Sequence, residues 1–302
     1  MAFSGYSAFS QRPLQVSYDR NTNGDYVFFA QNTTNKVYHI VVDIPRMSGV
    51  KCGCQFPYSA NAKFGKTQLF KLTKEGALSN PDFSWSWSYN EGYANPKINE
   101  EVVYALPIAP GNQTVVIGLQ NIRNTFGDKP SPQDYYAVGF SLSAGDTVFA
   151  SRGGVVQEIK KSSGTDKDGV NFSRDRNMVK IRHKDNTLGN YSIFKSNSFL
   201  VEEGQLVEAG TPLGLAGGEN YTAGPHVRMW IQYLSYKRNL PKEERYRWNY
   251  LKPKFATAND GTRVVASNLR YEGLLTEDLI VQEMTKREIK RRAKKKKENQ
   301  ER

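Results

Sequence analysis

Residues 222 to 230 read "TAGPHVRMW", and the chemistry they suggest is incomplete. Gly224 and Pro225 make a turn that delivers His226 at the head of a β-rich run, as a loop presenting imidazole to zinc would. Two positions later an extended chain returns a side chain to the same face, and a second imidazole there would complete a ligand pair. The chain places Arg228 at that point. Zinc needs three neutral or anionic protein ligands and an open position before it can activate a water. A guanidinium ~4 Å from the ion would instead be repelled by about 8 kcal/mol at an effective dielectric of about 20. The whole chain has three histidines, His39, His183 and His226, so there is no second imidazole cluster in reserve.

The elements that must carry this loop are strands. From about 15 to 115, short β-rich runs such as "DYVFFAQN" and "VYHIVVDI" are separated by polar turns such as "NTNG" and "NTTN". "FSWSWSYN" alternates strictly, with Phe83, Trp85, Trp87 and Tyr89 on one face and Ser84, Ser86 and Ser88 on the other. Such a ladder can stack on sugars, but the inner face of a sandwich is the favoured reading. "NIRNTFGDKPSPQD", 121 to 134, has linker composition. Residues 135 to 235 return to regular strands with glycine at nearly every junction. At Thr276 the period changes. "TEDLIVQEMTKREIKRRAKKKK" opens on an N-cap and two acids and closes on a basic run, which suits both ends of a helix. With only Leu279, Ile280, Met284 and Ile289 as apolar residues, it predicts a helix that begins docked and ends as a solvated basic tail.

Charge follows the same division. Of the net +12, residues 285 to 302 contribute +7, leaving a mildly basic folded body. The tail has no interleaved aromatics and the chain has no nucleic-acid fold motif, so no nucleic-acid partner is expected; an anionic surface or protein is the partner such a tail suits. No run of eighteen apolar residues suggests a membrane span, and Met1 to Pro13 shows neither the basic nor the apolar region of a secretion signal. Cys52 and Cys54 in "KCGCQ" are too close for a framework disulfide and too few for a zinc cluster. They read as two small residues at a turn beside Gly53.

Five blocks now stand in order: "YYAVGFSLSAGDTVFASRGGVV" (135 to 156), "VKIRHKDN" (179 to 186), "NYSIF" (190 to 194), "VEEGQLVEAGTPLGLAG" (201 to 217) and "AGPHVRMWI" (223 to 231). Together they resemble the lysostaphin/LytM-type zinc endopeptidases, which cut peptide cross-bridges of bacterial cell walls. The resemblance implies the family's duplicated hybrid motif fold. It also implies a zinc site built from an HxxxD pair and the second His of an HxH loop, assisted by the first His of that loop and one in a Y-x-H-L strand.

Carried over position by position, the resemblance implies a site without its chemistry. Tyr135 and Gly139 in "YYAVGF" stand where the His and Asp of HxxxD belong. Ile193 in "YSIF" stands at the strand histidine, His226 is kept, and Arg228 replaces the last ligand. No metal is therefore expected, and no catalytic set is intact. Asp134, Asp146 and Asp175 could supply replacement carboxylates, but all three sit in turn-like sequence. The residues left around the family's cleft are Tyr135, Tyr191, Phe194, Tyr221, His226 and Arg228. They suit binding of a peptide or carboxylate, or else they fill the space left by zinc.

The expected architecture is mainly β. It comprises an N-terminal extension (1–14), an antiparallel β-sandwich (15–120), a linker (121–134), a LytM-like antiparallel sheet domain (135–250), a connecting segment (251–275), and a helix with basic tail (276–302). The expected role is a catalytically inactive binding, regulatory or scaffold module of the bacterial envelope, with peptidoglycan peptide or an envelope protein as partner. A periplasmic or extracellular placement rests on the resemblance. The alternative is an active zinc endopeptidase using replacement ligands.

Overall fold

The computed structural model describes residues 13–76, 80–119, 132–162 and 176–300. The expected linker lies outside the described residues except for its last three, as does all but the end of the N-terminal extension. The chain is mainly β with antiparallel sheets and divides into two compact units, Met1–Ala94 and Asn95–Arg302.

In the first unit, Leu14–Arg20, Tyr26–Asn32, Gly65–Lys74 and Val50–Lys51 make one antiparallel sheet. Tyr58–Ala62, Tyr38–Ser48 and Asp82–Glu91 make a second. The two sheets share one core. Phe28 stacks on Phe70 with ring centroids 4.5 Å apart and meets Trp85 of the other sheet edge-on at 5.3 Å. The alternation in Asp82–Glu91 has its expected effect: Phe83, Trp85 and Trp87 pack on the buried cluster while Ser84, Ser86 and Ser88 are exposed. These three are partly buried, so each contributes less than the roughly 1.5–3 kcal/mol of a fully buried large side chain. Tyr89 at the strand's end is 44% exposed, its ring stacked on Trp87 and edge-on to Tyr38.

Cys52 and Cys54 correct the sequence reading, because they are joined as a disulfide. The turn after Val50–Lys51 folds back at Gly53 and brings the two sulfurs together, so spacing that is useless for stapling a framework still permits a bridge.

In the second unit the described residues include a nine-stranded sheet. Its order is Leu206–Val207, Gly154–Lys160, Met178–Arg182, Leu188–Ser192, His226–Tyr236, Val138–Ser141, Gln113–Gly118 and Arg270–Glu272, with Tyr246–Leu251 added beside the second half of His226–Tyr236. Strand His226–Tyr236 is central, and its alternation sets the two faces. Val227, Met229 and Ile231 enter a core with Tyr191, Phe140 and Val179, while Arg228 and Trp230 point the other way.

Two expected boundaries move. Val103–Ala105 and Gln113–Gly118, grouped by sequence with the sandwich, pair with Lys254–Thr257 and Val138–Ser141 inside the second unit. The stretch read as a connector, 251–275, supplies strands Lys254–Thr257, Gly261–Arg263 and Arg270–Glu272, with Phe255 and Tyr271 fully buried. Both differences have one cause: the pairings join segments distant in sequence, and local pattern carries no trace of them.

The helix expected from Thr276 forms in two pieces, Glu277–Val281 and Lys286–Gln300. Thr276 caps the first, its hydroxyl oxygen accepting from the Leu279 amide at 3.3 Å. Docking is ionic rather than apolar. Arg152, 1% exposed, forms a two-pronged pair with Glu283 (2.7 and 2.6 Å), an ion pair with Asp185 (3.0 Å) and a hydrogen bond to the Tyr104 hydroxyl (2.8 Å). Further along, Arg292 pairs with Glu208 and Glu277. The remaining basic residues of Lys286–Gln300 whose side chains are described are mainly exposed.

Candidate functional site

The loop before strand His226–Tyr236 is a run of tight turns. Gly218 and Gly224 both have positive φ (97° and 70°), and the Tyr221 and Gly224 amides donate to the carbonyls of Gly218 and Tyr221. This geometry leaves the Gly224 carbonyl 2.6 Å from Nδ1 of His226. A carbonyl only accepts, so Nδ1 carries the proton and Nε2 presents its lone pair. That lone pair is taken: Nε of Arg228 donates to it at 2.9 Å. His226 is 0% exposed, and burial holds its pKa down at about 4, with Arg228 pushing the same way against the Gly224 carbonyl. It is a neutral imidazole with both nitrogens engaged.

Arg228 is 5% exposed, and its guanidinium carbon lies 5.0 Å from the centroid of the Tyr221 ring. Burial lowers its pKa to about 10; Tyr221 and Tyr135 act to raise it and Arg176 to lower it further. It remains a cation at neutral pH. Tyr221 closes the group from the other side, meeting His226 edge-on at 5.5 Å. Arg176 was not singled out by sequence. Its guanidinium carbon lies 5.6 Å from the centroid of the Trp230 ring, and burial lowers its pKa, against the influence of Tyr221 and Tyr135. No sequence signal marked it, because "RDRNMVK" looks like any polar strand entry.

The other positions matched to the family's site by resemblance offer no imidazole or carboxylate. Gly139 lies directly across from Arg228 in the strand register, and a Cβ built on it would come within 3.0 Å of the Ile117 Cβ on the next strand. An aspartate there would crowd Ile117, which would have to give way by a few tenths of an ångström. Ile193 is 3% exposed and sits at φ 76°, a conformation costing a β-branched residue about 1–2 kcal/mol. Its amide donates to the Asn177 carbonyl and its carbonyl accepts from the Gly217 amide, which fixes it there. Tyr135 packs edge-on against Tyr250 at 4.9 Å.

Tyr191 and Phe194, expected to line a groove, belong to the core instead. Tyr191 is 0% exposed, and its hydroxyl accepts from the Ser151 amide at 2.9 Å. Phe194 is 4% exposed against Phe199. Tyr191 faces inward because it lies on the core side of the pleat of strand Leu188–Ser192, and Phe194, beyond the strand's end, is turned inward after Ile193 at positive φ and bridges to Ala216. Of the six proposed binding residues, Tyr135 alone is not buried.

The replacement carboxylates are occupied. Asp134 binds Arg247 and accepts from the Tyr250 amide at 3.0 Å; burial alone would raise its pKa, but these partners bring it below the usual carboxylate value. Asp146 accepts from the Ser143 amide at 2.8 Å, closing a turn. Asp175 lies outside the described residues. Among the described residues, no three His, Cys, Asp or Glu side chains converge as a metal site would require. At the family's site, one imidazole with no spare lone pair, a glycine, an isoleucine and a cation do not fit zinc.

His183 is also fully buried. Its Nδ1 meets the Gly153 carbonyl at 2.9 Å, and burial lowers its pKa. A Cβ at Gly189 would lie 2.6 Å from its Nε2, so glycine is required opposite it. A cavity of about 500 Å³ lies beside Ile159, Lys161, Asn197, Phe199 and Glu203, none of them a predicted site residue.

Residues 133–240 match the model of peptidase family M23, and this part of the chain is a domain of that family. No curated protein matches the chain. Among solved structures, the catalytic domain of lysostaphin from Staphylococcus simulans is 20% identical, with 37% of this chain and 74% of that one covered and a TM-score of 0.25. Lysostaphin itself is 21% identical, covering 39% of this chain and 43% of that one at 0.25, so the chain spans less than half of its length. A zinc-containing peptidase from Vibrio cholerae is 13% identical, covering 72% and 74% at 0.27. Scores this low align no individual site residue.

Proposed function

We propose that this chain is a catalytically inactive M23-fold protein of the bacterial envelope, working as a scaffold or regulatory module toward the cell wall or an envelope complex. One observation carries the reading: Nε of Arg228 donates to Nε2 of His226 at 2.9 Å, so a cation fills the ligand position and uses up the lone pair of the imidazole beside it. Hydrolysis in this family needs a zinc-bound water, and the residues here neither hold the ion nor tolerate its charge.

The burial of His226, Arg228, Tyr191, Phe194 and Tyr221 favours a filled cleft, and with it a scaffold over a ligand-binding groove. A peptidoglycan peptide or an envelope protein is the partner this family's chemistry suits. The Cys52–Cys54 disulfide agrees with an oxidising compartment outside the cytoplasm.

Zinc analysis of the purified chain together with a peptidoglycan-hydrolysis assay tests this. The expected result is sub-stoichiometric zinc and no cleavage. Stoichiometric zinc, with cell-wall cleavage lost in His226→Ala, would establish the active endopeptidase with replacement ligands instead.

A further inference from the structure

The Cys52–Cys54 bridge lies in the first unit and is independent of the reading of His226. It has three properties that a structural crosslink does not need. First, it closes a loop of three residues, and the chain entropy such a ring removes is about half that of a fifteen-residue loop. The flanks are already fixed without it: Val50 and Lys51 pair with Lys74 and Thr73, and Tyr58–Ala62 pairs with Tyr38–Ser48.

Second, the bridge can be reached. Both cysteines are only partly buried, Gly53 between them is exposed, and nothing lies within 4 Å of where a Cβ on Gly53 would stand. Third, the sulfurs are unequal. The Cys54 amide donates to the sulfur of Cys52 at 3.3 Å, a contact that favours negative charge on Cys52. The inner sides of both cysteines pack on the aromatic cluster with Phe56, which holds the turn in place when the bridge opens.

We infer that Cys52–Cys54 is a thiol–disulfide exchange site that oxidises accessible thiols. A substrate thiolate attacks the Cys54 sulfur; the S–S bond breaks and Cys52 leaves as the thiolate held by the Cys54 amide. A second substrate thiolate then attacks the substrate sulfur of the mixed disulfide and releases Cys54. Two substrate thiols lose two electrons and two protons and become a disulfide, and the bridge gains both electrons and becomes two thiols. The substrate class is a dithiol, or a pair of thiols, on a small molecule or an exposed polypeptide segment.

The test uses the full chain under native conditions. Oxidised protein is mixed with a short peptide carrying two cysteines, and products are followed by mass spectrometry after acid quench. The expected result is one peptide disulfide formed per bridge reduced, with the circular dichroism of the protein unchanged. Two single variants assign the sulfurs: at pH 7 iodoacetamide should modify Cys52 in Cys54→Ser at least about threefold faster than Cys54 in Cys52→Ser. A bridge that opens only after denaturant is added, a peptide that stays reduced, or equal rates in the two variants overturns the inference. The first two outcomes need no variant, so a misfolded substitution does not blur the result.

Discussion

Arg228 and His226 stand two residues apart on one strand and are joined by a single hydrogen bond, Nε to Nε2 at 2.9 Å. The bond exists because period-two geometry returns both side chains to one face, the relation by which an HxH pair would meet a metal. The same spacing that would assemble a zinc site here produces an internal cation–imidazole contact.

Restoring one imidazole should therefore not restore metal. In Arg228→His, the strand still faces Gly139 across the register, and the position that the resemblance gives to an assisting histidine is still Ile193. Zinc content measured by atomic spectroscopy after loading and desalting should stay well below one ion per chain. A stoichiometric ion in this single variant would show that a ligand set exists elsewhere.

Stability should fall in mild acid. His226 titrates at about 4 in the folded protein because it is buried, as does His39 in the first unit, while in the unfolded chain both titrate at about 6.5. The unfolded state therefore binds protons first as pH falls. The stabilisation is complete above pH ~6.5 and is lost progressively as pH falls through ~4. Each residue accounts for on the order of 1–3 kcal/mol. Urea denaturation at pH 7 and pH 5 checks this, and His226→Gln should reduce the pH dependence of the second unit.

Arg152 should be among the least replaceable residues. Arg152→Met removes the cation that neutralises Asp185 and Glu283 and should cost about 3–5 kcal/mol, because two carboxylates are left in a nearly dry site. Tyr104→Phe deletes one hydrogen bond to the same guanidinium and should cost only about 1 kcal/mol. Thermal unfolding of both variants gives the ratio, and comparable losses would refute the ionic account.

Removing residues 285–302 should abolish salt-sensitive retention on a heparin column, since this segment carries +7 of the net charge. The fold should survive, because Glu283 and its pair with Arg152 are kept. Retention unchanged by the deletion would place the anion-binding surface on the folded body.

Much of the architecture could be read from sequence wherever the signal was local. The alternation of Phe83, Trp85 and Trp87 with serines set a strand and its buried face, and Thr276 marked a helix start that its hydroxyl indeed caps. The turn that carries His226 was legible as well, because Gly224-Pro225-His226 is a local turn signature. What escaped was non-local. Arg152 and Glu283 are 131 residues apart, and nothing near either announces the other. Gln113–Gly118 was assigned to the first domain because its strand pattern is the same in either sheet; pairing with Val138–Ser141 decides. The side of the pleat on which Tyr191 falls was likewise invisible until Met229 was seen opposite it.

The Arg152–Glu283 pair also bears on how the chain is made. As the polypeptide is synthesised from its amino end, the first unit contains all its own pairing partners and can fold as it emerges. The second cannot be completed in step with synthesis. Its buried guanidinium can meet Asp185 early, but its second carboxylate, Glu283, is translated 131 residues later, as strand Lys254–Thr257 follows its partner Val103–Ala105. The described pairings of this unit are complete only once its last segments have been synthesised.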